Sequence, residues 1–365
     1  MADYDLAIIG AGIAGASLAA EVGPHSRVLL LEAEDLPGYH TTGRSAAFWE
    51  ECYGGPEIVP LTRAAEPYLH EGGFLTPRGA LYIGREQDGA ALDAFEARFA
   101  CTGAHLERLA PGTAQQQVPT LRPEWSEAIW QPQCADIDVA ALHQHYLRAA
   151  RAAGVELVTR ARIEGVERDG AGWLLRSSDG RHWRVDAIAN AAGAWADTLA
   201  EMAGARALGI QPLQRTMLQL KAEPALPRSG PLTLDISGQF YFKPESGGSM
   251  WFSPHDETPM PPCDAAPEEL AVAEGLDRLE RVIETKTLKV ERTWAGLRSF
   301  APDRKPVIGW DAHVPGFFWF AGQGGFGIQT APSAARLAGQ VFRDAPRDGM
   351  TEPLDAEAFA PARFG

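Results

Sequence analysis

A glycine-rich turn between the first strand and the first helix is the feature that most constrains this chain. A strand-like run at residues 5–9, apolar from Leu6 onward, leads into the pattern GxGxxG at residues 10–15, and a second apolar run ends at Glu32. In a βαβ unit, such glycines permit a tight turn and a close approach of the backbone to a pyrophosphate, while the acid accepts hydrogen bonds from a ribose. The opening therefore predicts a dinucleotide site, although the motif does not distinguish FAD from NAD.

Composition and charge exclude several classes of protein. Of the 365 residues, 45% are apolar and 22% are charged, which is typical of a globular chain with room for two domains. The 33 basic residues are outnumbered by 48 acidic ones, and this formal charge of −15 disfavours a nucleic-acid partner. The four cysteines form no CxxC pair or zinc-ligand spacing, so we expect a reducing, cytoplasmic location and no metal site. The chain enters a strand almost at once and has no long uncharged apolar stretch, so we expect neither a secretion signal nor a membrane span.

The rest of the chain alternates between two kinds of pattern. Asp138 is placed to cap a helix at 139–153, and strands at 163–168, 173–177 and 184–189 follow, separated by Asp-Gly turn dipeptides. Elsewhere, short alternating apolar runs are punctuated by proline and glycine, which predicts antiparallel strands.

These patterns predict an α/β fold with two domains, each assembled from separate pieces of the chain. The dinucleotide-binding domain comprises residues 1–73, 137–213 and 292–365. The inserted substrate domain, an α+β unit with an antiparallel sheet, comprises residues 74–136 and 214–291. Within the second insertion, we expect a loop at 254–267 and a helix at 267–284.

Two further segments could contact a cofactor. Residues 38–47, GYHTTGRSAA, combine small and hydroxyl-bearing side chains with one arginine, and from composition alone a surface loop is an equally good interpretation. Residues 321–329 carry four glycines before a predicted helix that extends through Gln340, so their backbone could approach a flat ligand such as a flavin. The alternative is a tight turn that packs against the sheet.

Five motifs along the chain occur in an order typical of one family. They are GxGxxG with Glu32, GYHTTGRSAA at 38–47, NAAGAWAD at 190–197, TWAGLRSF at 293–300 and GQGGFGIQT at 322–330. In this order the chain resembles the D-amino-acid oxidase/glycine oxidase superfamily of flavoproteins and, within it, the D-arginine dehydrogenases. The resemblance spans nearly the whole chain. It implies non-covalently bound FAD, a Rossmann-like FAD-binding domain of the glutathione-reductase type with an inserted substrate domain, and oxidation of an amino acid at its α-carbon.

The resemblance implies which residues contact the FAD. They lie in the glycine-rich turn, at the end of the second strand, in segment 38–47, in the middle of the chain and in the C-terminal glycine loop. By position they are Gly10, Gly12, Ala14, Gly15, Glu32, Ala33, His40, Thr41, Thr42, Gly43, Arg44, Ser45, Ala46, Ala47, Ile163, Ala192, Gly193, Trp195, Gly324, Gly325, Phe326, Gly327, Ile328 and Gln329.

The resemblance also implies a substrate site centred on arginine. Arg298 matches the family arginine that binds the substrate carboxylate, and Arg215 matches a second substrate-contacting arginine. A guanidinium suits a carboxylate because it donates two parallel hydrogen bonds. Two tyrosines that close over the carboxylate, and two residues of the loop beside the substrate amine and flavin, complete the site. These residues are Tyr53, Tyr241, Gly325 and Gln329. Without the family, each arginine would be interpreted as a solvated surface charge.

Three positions of the substrate pocket depart from the D-arginine dehydrogenase pattern. Phe48 stands in place of a histidine, Glu50 in place of a threonine, and Ala80 in place of the glutamate that pairs with a substrate guanidinium. A cationic side chain needs a carboxylate to offset its lost hydration, so we expect neutral or apolar side chains to be preferred. We expect Glu50 to pair with a neighbouring arginine or to face solvent, because acids are rarely buried unpaired. If it points inward, it could recreate a cation site.

Together these features predict an FAD-dependent D-amino-acid dehydrogenase or oxidase. Hydride transfer from the α-carbon to flavin N5 gives an imino acid, which hydrolyses to a 2-oxo acid and ammonia. The electron acceptor, whether oxygen, a quinone or another carrier, stays open, and no side chain is an obvious general base. Two alternatives remain: oxidation of glycine, sarcosine, another N-alkyl amino acid or a 2-hydroxy acid on the same fold, and a non-catalytic FAD-binding module.

Overall fold

A computed structural model of the chain describes residues 2–365 as two large sheets, one small sheet and the helices that cover them. The helices are α1 (Ile13–Val22), α2 (Val59–Glu71), α3 (Gly89–Phe99), α4 (Ala114–Gln117), α5 (Val139–Ala152), α6 (Ala196–Met202), α7 (Glu269–Glu280) and α8 (Ala331–Arg343). The strands are β1 (Tyr4–Ile9), β2 (Val28–Leu31), β3 (Phe48–Trp49), β4 (Leu75–Pro77), β5 (Ala80–Gly84), β6 (Glu107–Arg108), β7 (Glu127–Gln131), β8 (Ala135–Ile137), β9 (Glu156–Val158), β10 (Ile163–Asp169), β11 (Gly172–Ser177), β12 (His182–Asn190), β13 (Gln211–Glu223), β14 (Leu232–Asp235), β15 (Tyr241–Pro244), β16 (Ser249–Ser253), β17 (Thr258–Pro259), β18 (Lys286–Phe300), β19 (Val307–Trp310), β20 (Phe317–Ala321) and β21 (Gln323–Gly324).

The first sheet carries the glycine-rich turn. Its strands lie in the order β10-β11-β12-β1-β2-β9, and β20, with β19 beside it, pairs with the end of β12. β1 is parallel to both of its neighbours, with Leu6 opposite Ala187 on β12 and Val28 on β2. The turn after β1 therefore lies at the carboxyl edge of parallel strands, which is the edge where nucleotides bind in such folds.

The continuous apolar runs of β1 and β2 are buried on both faces of this sheet. Leu6 and Ile8 pack in a core cluster with α1 and α8, whereas Ala7 and Ile9 pack in a second cluster with Trp173. Side chains along a strand alternate between the two faces, so a strand that is covered on both sides needs apolar residues at every position. The predicted α/β layering is confirmed.

The helix and the antiparallel strands predicted in the middle of the chain are also confirmed. α5 begins after Asp138, whose Oδ1 accepts a hydrogen bond from the backbone N–H of Ala141 at 2.9 Å, and it ends close to Gly154, which has φ +86°. β10, β11 and β12 form an antiparallel meander whose turns contain the Asp-Gly dipeptides at 169–170 and 179–180. Local turn and capping chemistry was therefore sufficient to locate these elements.

The second sheet carries the other wall of the site. Its strands lie in the order β21-β18-β13-β16-β15-β14-β5-β7-β6, and β17 also pairs with β13. Most neighbours are antiparallel, as predicted, but β14 and β5 are parallel, with Leu232 opposite Ala80. The two strands belong to different predicted insertions and are not joined by a hairpin, so no local connection requires them to be antiparallel. Met217 and Tyr241 lie on one face of this sheet, while Leu218 and its neighbours pack on the opposite face.

A small third sheet and several element boundaries differ from the predicted organisation of the chain. β3, β8 and β4 form a small antiparallel sheet in that order. β13 and β18 run across the predicted domain boundaries at 213 and 291, and the division into domains stays a prediction. β17 interrupts the predicted loop at 254–267, and α7 is shorter than the predicted helix at 267–284. Over residues 2–365, the helices are too short or too polar to cross a membrane.

Candidate active site

The glycine-rich turn leaves room for a pyrophosphate because its three glycines carry no side chains. Gly10 has φ +101°, and a Cβ at this position would lie 2.5 Å from the carbonyl oxygen of Ala191. A Cβ at Gly15 would overlap the carbonyl oxygen of Gly10, so this glycine allows α1 to pack against the turn. Gly12 is the N-cap of α1, has no side-chain cap and lines a long cavity. The start of α1 therefore presents backbone N–H groups to an anion.

Glu32 is held at the end of β2 by two backbone donors. Its Oε2 accepts a hydrogen bond from the N–H of Ala11 at 2.9 Å, and its Oε1 accepts one from the N–H of Glu34 at 2.9 Å. The side chain lines the same cavity, and each carboxylate oxygen can accept a further hydrogen bond. Glu32 is therefore fixed in a position from which it can accept hydrogen bonds from a ribose.

Segment 38–47 runs along the cavity and connects α1 with the second sheet. Thr42 Oγ1 accepts a hydrogen bond from the N–H of Ile13 at 2.9 Å, and Thr41 Oγ1 donates one to the carbonyl of Leu297 at 2.6 Å. The segment is thus anchored at both sides of the cavity and is not a free surface loop.

One cavity brings most of the predicted cofactor residues together. It extends from the glycine-rich turn and Glu32 to Arg298 on β18. The predicted residues that line it are Gly10, Gly12, Ala14, Glu32, Ala33, His40, Thr41, Thr42, Arg44, Ser45, Ala46, Ala47, Ile163, Ala192, Gly193, Trp195, Gly324, Gly325, Gly327, Ile328 and Gln329. Thr198 and Met202 of α6 also line it, although no motif or pattern pointed to them.

Three predicted cofactor residues do not line the cavity. Gly15 lies under the turn, and the N–H of Gly43 donates a hydrogen bond to the carbonyl of Gly38 at 2.8 Å. Phe326 is buried in a core cluster with Phe300 and its neighbours. Gly15 allows α1 to pack closely, and Gly43 and Phe326 support the cavity walls, so direct contact with the FAD stays a prediction at these three positions.

Gly325 allows the residues predicted to bind a carboxylate to lie close to the backbone of the C-terminal glycine loop. A Cβ at this position would lie 2.8 Å from Arg298 Nη1 and 2.9 Å from the hydroxyl oxygen of Tyr53. Arg298 Nη1 itself donates a hydrogen bond to that hydroxyl at 3.2 Å. Because Gly325, Tyr53 and Arg298 all line the cavity, a group that enters this end of it would meet both the guanidinium and the phenol.

Arg215 and Arg298 are both buried, and each retains a guanidinium nitrogen without a hydrogen-bond partner. They lie on the paired strands β13 and β18, where Arg215 is opposite Gly296. The unpartnered atoms are Arg215 Nη1 and Arg298 Nε. A buried charged donor without an acceptor costs free energy, so this arrangement favours the binding of an anion between the two side chains.

Burial keeps the groups of this site in defined protonation states. Burial and the neighbouring Tyr53 raise the pKa of Tyr241 to about 12, so Tyr241 carries a hydroxyl proton. Burial and the charge of Arg298 lower the pKa of Arg215 to about 10, which still leaves it charged at neutral pH. The Tyr241 hydroxyl donates to Met217 Sδ at 3.0 Å, a weak acceptor that a carboxylate oxygen could replace.

Of the three positions that depart from the family pattern, only Phe48 lines the cavity. Its ring packs against Tyr53 and Tyr241, with centroids 5.0 and 5.8 Å apart. Ala80 and Glu50 are fully buried but are not part of the cavity wall. The expectation that these two side chains line the substrate pocket is therefore corrected, because both lie in the layer beneath it.

Glu50 neither pairs with an arginine nor faces solvent, so the prediction for it was wrong. Its Oε2 accepts a hydrogen bond from the Tyr82 hydroxyl at 2.8 Å, and its Oε1 has no partner. Burial, together with the charge of Glu51, raises the pKa of Glu50 to about 7. The error arose because nothing in the local sequence shows that Glu50 follows the short buried strand β3 and meets a tyrosine of β5.

Two polar residues close to the arginines were missed. Glu257 accepts a hydrogen bond from Arg298 Nη2 at 2.5 Å, and His255 packs against Tyr241 with ring centroids 5.7 Å apart. Burial and the charge of Arg215 lower the pKa of His255 to about 3, so its imidazole is neutral. Both residues belong to the proline-rich stretch predicted as a loop, and no sequence signal connected them with the arginines.

Residues 5–341 match the family described as FAD dependent oxidoreductase, DAO. The chain belongs to this family. Its cofactor is therefore FAD. The residues present fit that group, because the tight turn at Gly10 has no room for a Cβ beside the Ala191 carbonyl oxygen, and the carboxylate oxygens of Glu32 can accept further hydrogen bonds. The α/β fold with a second, sheet-rich region is likewise shown for this family.

Comparisons with individual proteins agree on the fold and differ in the activity they name. The chain is 32% identical over 222 residues to the hydrogen cyanide synthase subunit HcnC of Pseudomonas aeruginosa, and the match covers 60% of this chain and 50% of that protein. The chain thus spans half the length of this relative. Glycine oxidase from Geobacillus kaustophilus has a TM-score of 0.85 at 22% identity, covering 100% of this chain and 99% of that one. L-Proline dehydrogenase from P. horikoshii has a TM-score of 0.84 at 21% identity, covering 99% and 97%. These two structures show the shared fold only.

Proposed function

We propose that this protein is an FAD-dependent D-amino-acid dehydrogenase or oxidase that favours neutral or apolar side chains. The observation that carries the proposal is the buried pair Arg215 and Arg298, which retains unpartnered guanidinium nitrogens at the end of the FAD cavity. A carboxylate is the small anion that a planar guanidinium binds best. The D configuration rests on the order of the family motifs, not on the geometry of the site.

The residues of the site would orient the substrate. Arg298 holds the carboxylate, and Arg215 adds a second charged donor. Bound FAD supplies a two-electron acceptor for the hydride that leaves the α-carbon. Orientation by fixed donors lowers the barrier because the reacting atoms are held close before the reaction begins.

An amine suits this site better than a 2-hydroxy acid. Among residues 2–365, the side chains that line the substrate end of the cavity include no aspartate, glutamate or histidine. An alcohol must lose a strongly held proton during oxidation, which requires a positioned base. An ammonium group can lose its proton to water before hydride transfer, and the product imino acid then hydrolyses to a 2-oxo acid and ammonia.

The walls of the cavity favour an apolar substrate side chain. Phe48, Met217 and Tyr241 surround the space beyond the carboxylate site. Each methylene buried there contributes about 0.8 kcal/mol, so a branched or aromatic side chain should gain roughly ten- to fiftyfold over D-alanine. A cationic side chain would lose hydration without meeting a cavity-lining carboxylate in return.

Anaerobic flavin reduction tests the proposal directly. The panel contains D-leucine, D-phenylalanine, D-alanine, D-arginine and D-lysine, their L-enantiomers, glycine, sarcosine and the 2-hydroxy analogue of D-leucine. We expect D-leucine and D-phenylalanine to reduce the flavin fastest. Faster reduction by sarcosine or by the hydroxy acid would favour an N-alkyl amino acid or a 2-hydroxy acid as the substrate. No reduction by any compound would indicate a non-catalytic FAD-binding module. A tenfold preference for D-arginine would refute the apolar pocket.

A further inference from the structure

Glu257 contacts three arginines at the edge of the carboxylate site. Its Oε1 lies 2.5 Å from Arg298 Nη2, 2.9 Å from Arg304 Nη2 and 3.5 Å from Arg215 Nη2. Burial alone would raise the pKa of Glu257, but the charges of Arg304, Arg298 and Arg215 hold it below its usual range. Glu257 is therefore a carboxylate at neutral pH.

Glu257 contacts the guanidiniums outside the substrate cavity. Arg298 Nη1 donates a hydrogen bond to Tyr53, which lines the cavity, whereas Nη2 of the same guanidinium donates to Glu257. Glu257 itself does not line the cavity. It consequently leaves Arg298 Nη1 and Nε, and Arg215 Nη1, for a ligand, and it does not occupy the place of the substrate.

The position of Glu257 determines the net charge that a ligand meets. Arg215 and Arg298 bring two positive charges to a buried site, and Glu257 offsets one of them. Arg304 is about half exposed, so water screens its charge. Asp256, whose charge also acts on Arg215, is turned toward Thr216, which donates hydrogen bonds to both of its carboxylate oxygens. Among Arg215, Arg298 and Glu257, one uncompensated positive charge therefore remains, and it matches one carboxylate.

We propose that Glu257 adjusts the carboxylate site to a single negative charge and thereby makes the enzyme select amino acids with one carboxylate over dicarboxylic ones. This inference rests on the proposed function, because it takes the arginine pair as the substrate-binding site. A second carboxylate would enter a buried site whose positive charge is already matched. Glu257 is thus a specificity-determining residue that acts through the two arginines.

The test compares two ligands of equal carbon number, butanoate with one carboxylate and succinate with two. Their dissociation constants are measured by isothermal titration calorimetry on the FAD-loaded protein, so that no turnover is needed. We expect the unmodified protein to bind butanoate more tightly than succinate. Glu257→Gln should shift the ratio of the two constants toward succinate by about tenfold, the order expected when one unit charge is removed from a partly screened site.

Two control variants separate charge from the position of the loop. Glu257→Asp keeps the charge and should leave the ratio within about twofold of the unmodified protein. Asp264→Asn removes a carboxylate from the same segment, where Asp264 pairs with Arg44, and should also leave the ratio unchanged. If Glu257→Gln does not retain FAD, Glu257→Ala provides the same comparison.

The possible outcomes distinguish this inference from the proposed function. Equal weakening of both ligands by Glu257→Gln would show that Glu257 only holds the arginines in place, and the inference would be wrong. Butanoate binding that Arg298→Met leaves intact would overturn the carboxylate site itself, and the inference with it. A shifted ratio in a protein that no D-amino acid reduces would support the role of Glu257 and reject the proposed substrate.

Discussion

Replacement of Glu50 by glutamine should stabilise the protein at alkaline pH but not at acidic pH. Glu50 is fully buried, one of its oxygens has no hydrogen-bond partner, and burial raises its pKa to about 7 from the ordinary value of 4.5. The folded protein therefore holds a proton that the unfolded chain releases between these two pH values. Above pH 7 the folded state must accommodate a buried charge, and the free energy of unfolding is lowered.

The size of the effect follows from the two pKa values. Below pH 4.5 both states are protonated and the penalty is absent, whereas above pH 7 it reaches its full size of about 3 kcal/mol. Between pH 5 and pH 8.5 the penalty grows by about 2–3 kcal/mol, which corresponds to about 3 °C in the melting temperature of a chain of this length. Glutamine keeps an oxygen that can accept the hydrogen bond from the Tyr82 hydroxyl, so most of this difference should appear as a gain.

Melting temperatures of the FAD-saturated protein and of Glu50→Gln, measured at pH 5 and pH 8.5, test this reasoning. The stabilisation by glutamine should be larger at pH 8.5. Glu291→Gln is the matched control, because hydrogen bonds from Ser249 and Gln219 and the neighbouring lysines lower the pKa of that exposed acid, so its removal should not stabilise the protein at pH 8.5. An identical difference between Glu50→Gln and the unmodified protein at both pH values would refute proton uptake by Glu50.

Three further substitutions test the two ends of the cavity. Gly12→Val should abolish FAD binding, measured as the ratio of flavin to protein absorbance, because a β-branched side chain would fill the pyrophosphate space, with its Cβ 3.1 Å from Thr42 Oγ1. Arg298→Met should retain FAD but lower the second-order rate constant of flavin reduction by about 30- to 1,000-fold, because a charge-assisted contact of about 2–4 kcal/mol is lost. A decrease below about threefold would contradict the role of Arg298 in carboxylate binding. Gly325→Ala should weaken butanoate binding in calorimetry by roughly tenfold or more, because the added methyl would lie 2.8 Å from Arg298 Nη1.

The parts of the fold that could be predicted depend on patterns within a few residues. The apolar run of β1, the glycines after it and the cap at Asp138 each have a local physical cause, and the structure reproduces all three. The parallel pairing of β14 with β5 could not be predicted in this way. It joins residues about 150 positions apart, and only the packing of the whole second sheet determines it.

The residues of the candidate site also differ in whether local sequence could predict them. The motifs selected residues such as Gly12, Glu32 and Gly325 because backbone conformation and short-range chemistry require them there. Glu257 meets Arg298 across 41 positions, through the pairing of β13 with both β17 and β18, and a charged residue in a proline-rich loop is ordinarily solvated. The burial of Glu50 was missed for a related reason, since β3 is only two residues long and carries no periodicity of its own.

Glu50 and Glu257 both lie near a site that binds an anion. Each is compatible with that anion for a different physical reason. Glu50 lies beneath the cavity wall without a cation, and burial shifts its pKa so that much of it is protonated at neutral pH. Glu257 stays ionised, but it is surrounded by more guanidinium charge than it can neutralise. An acid that met neither condition would repel the substrate carboxylate. The arginine pair consequently remains the dominant charge at the substrate end of the cavity, which is the property that the proposed reaction needs most.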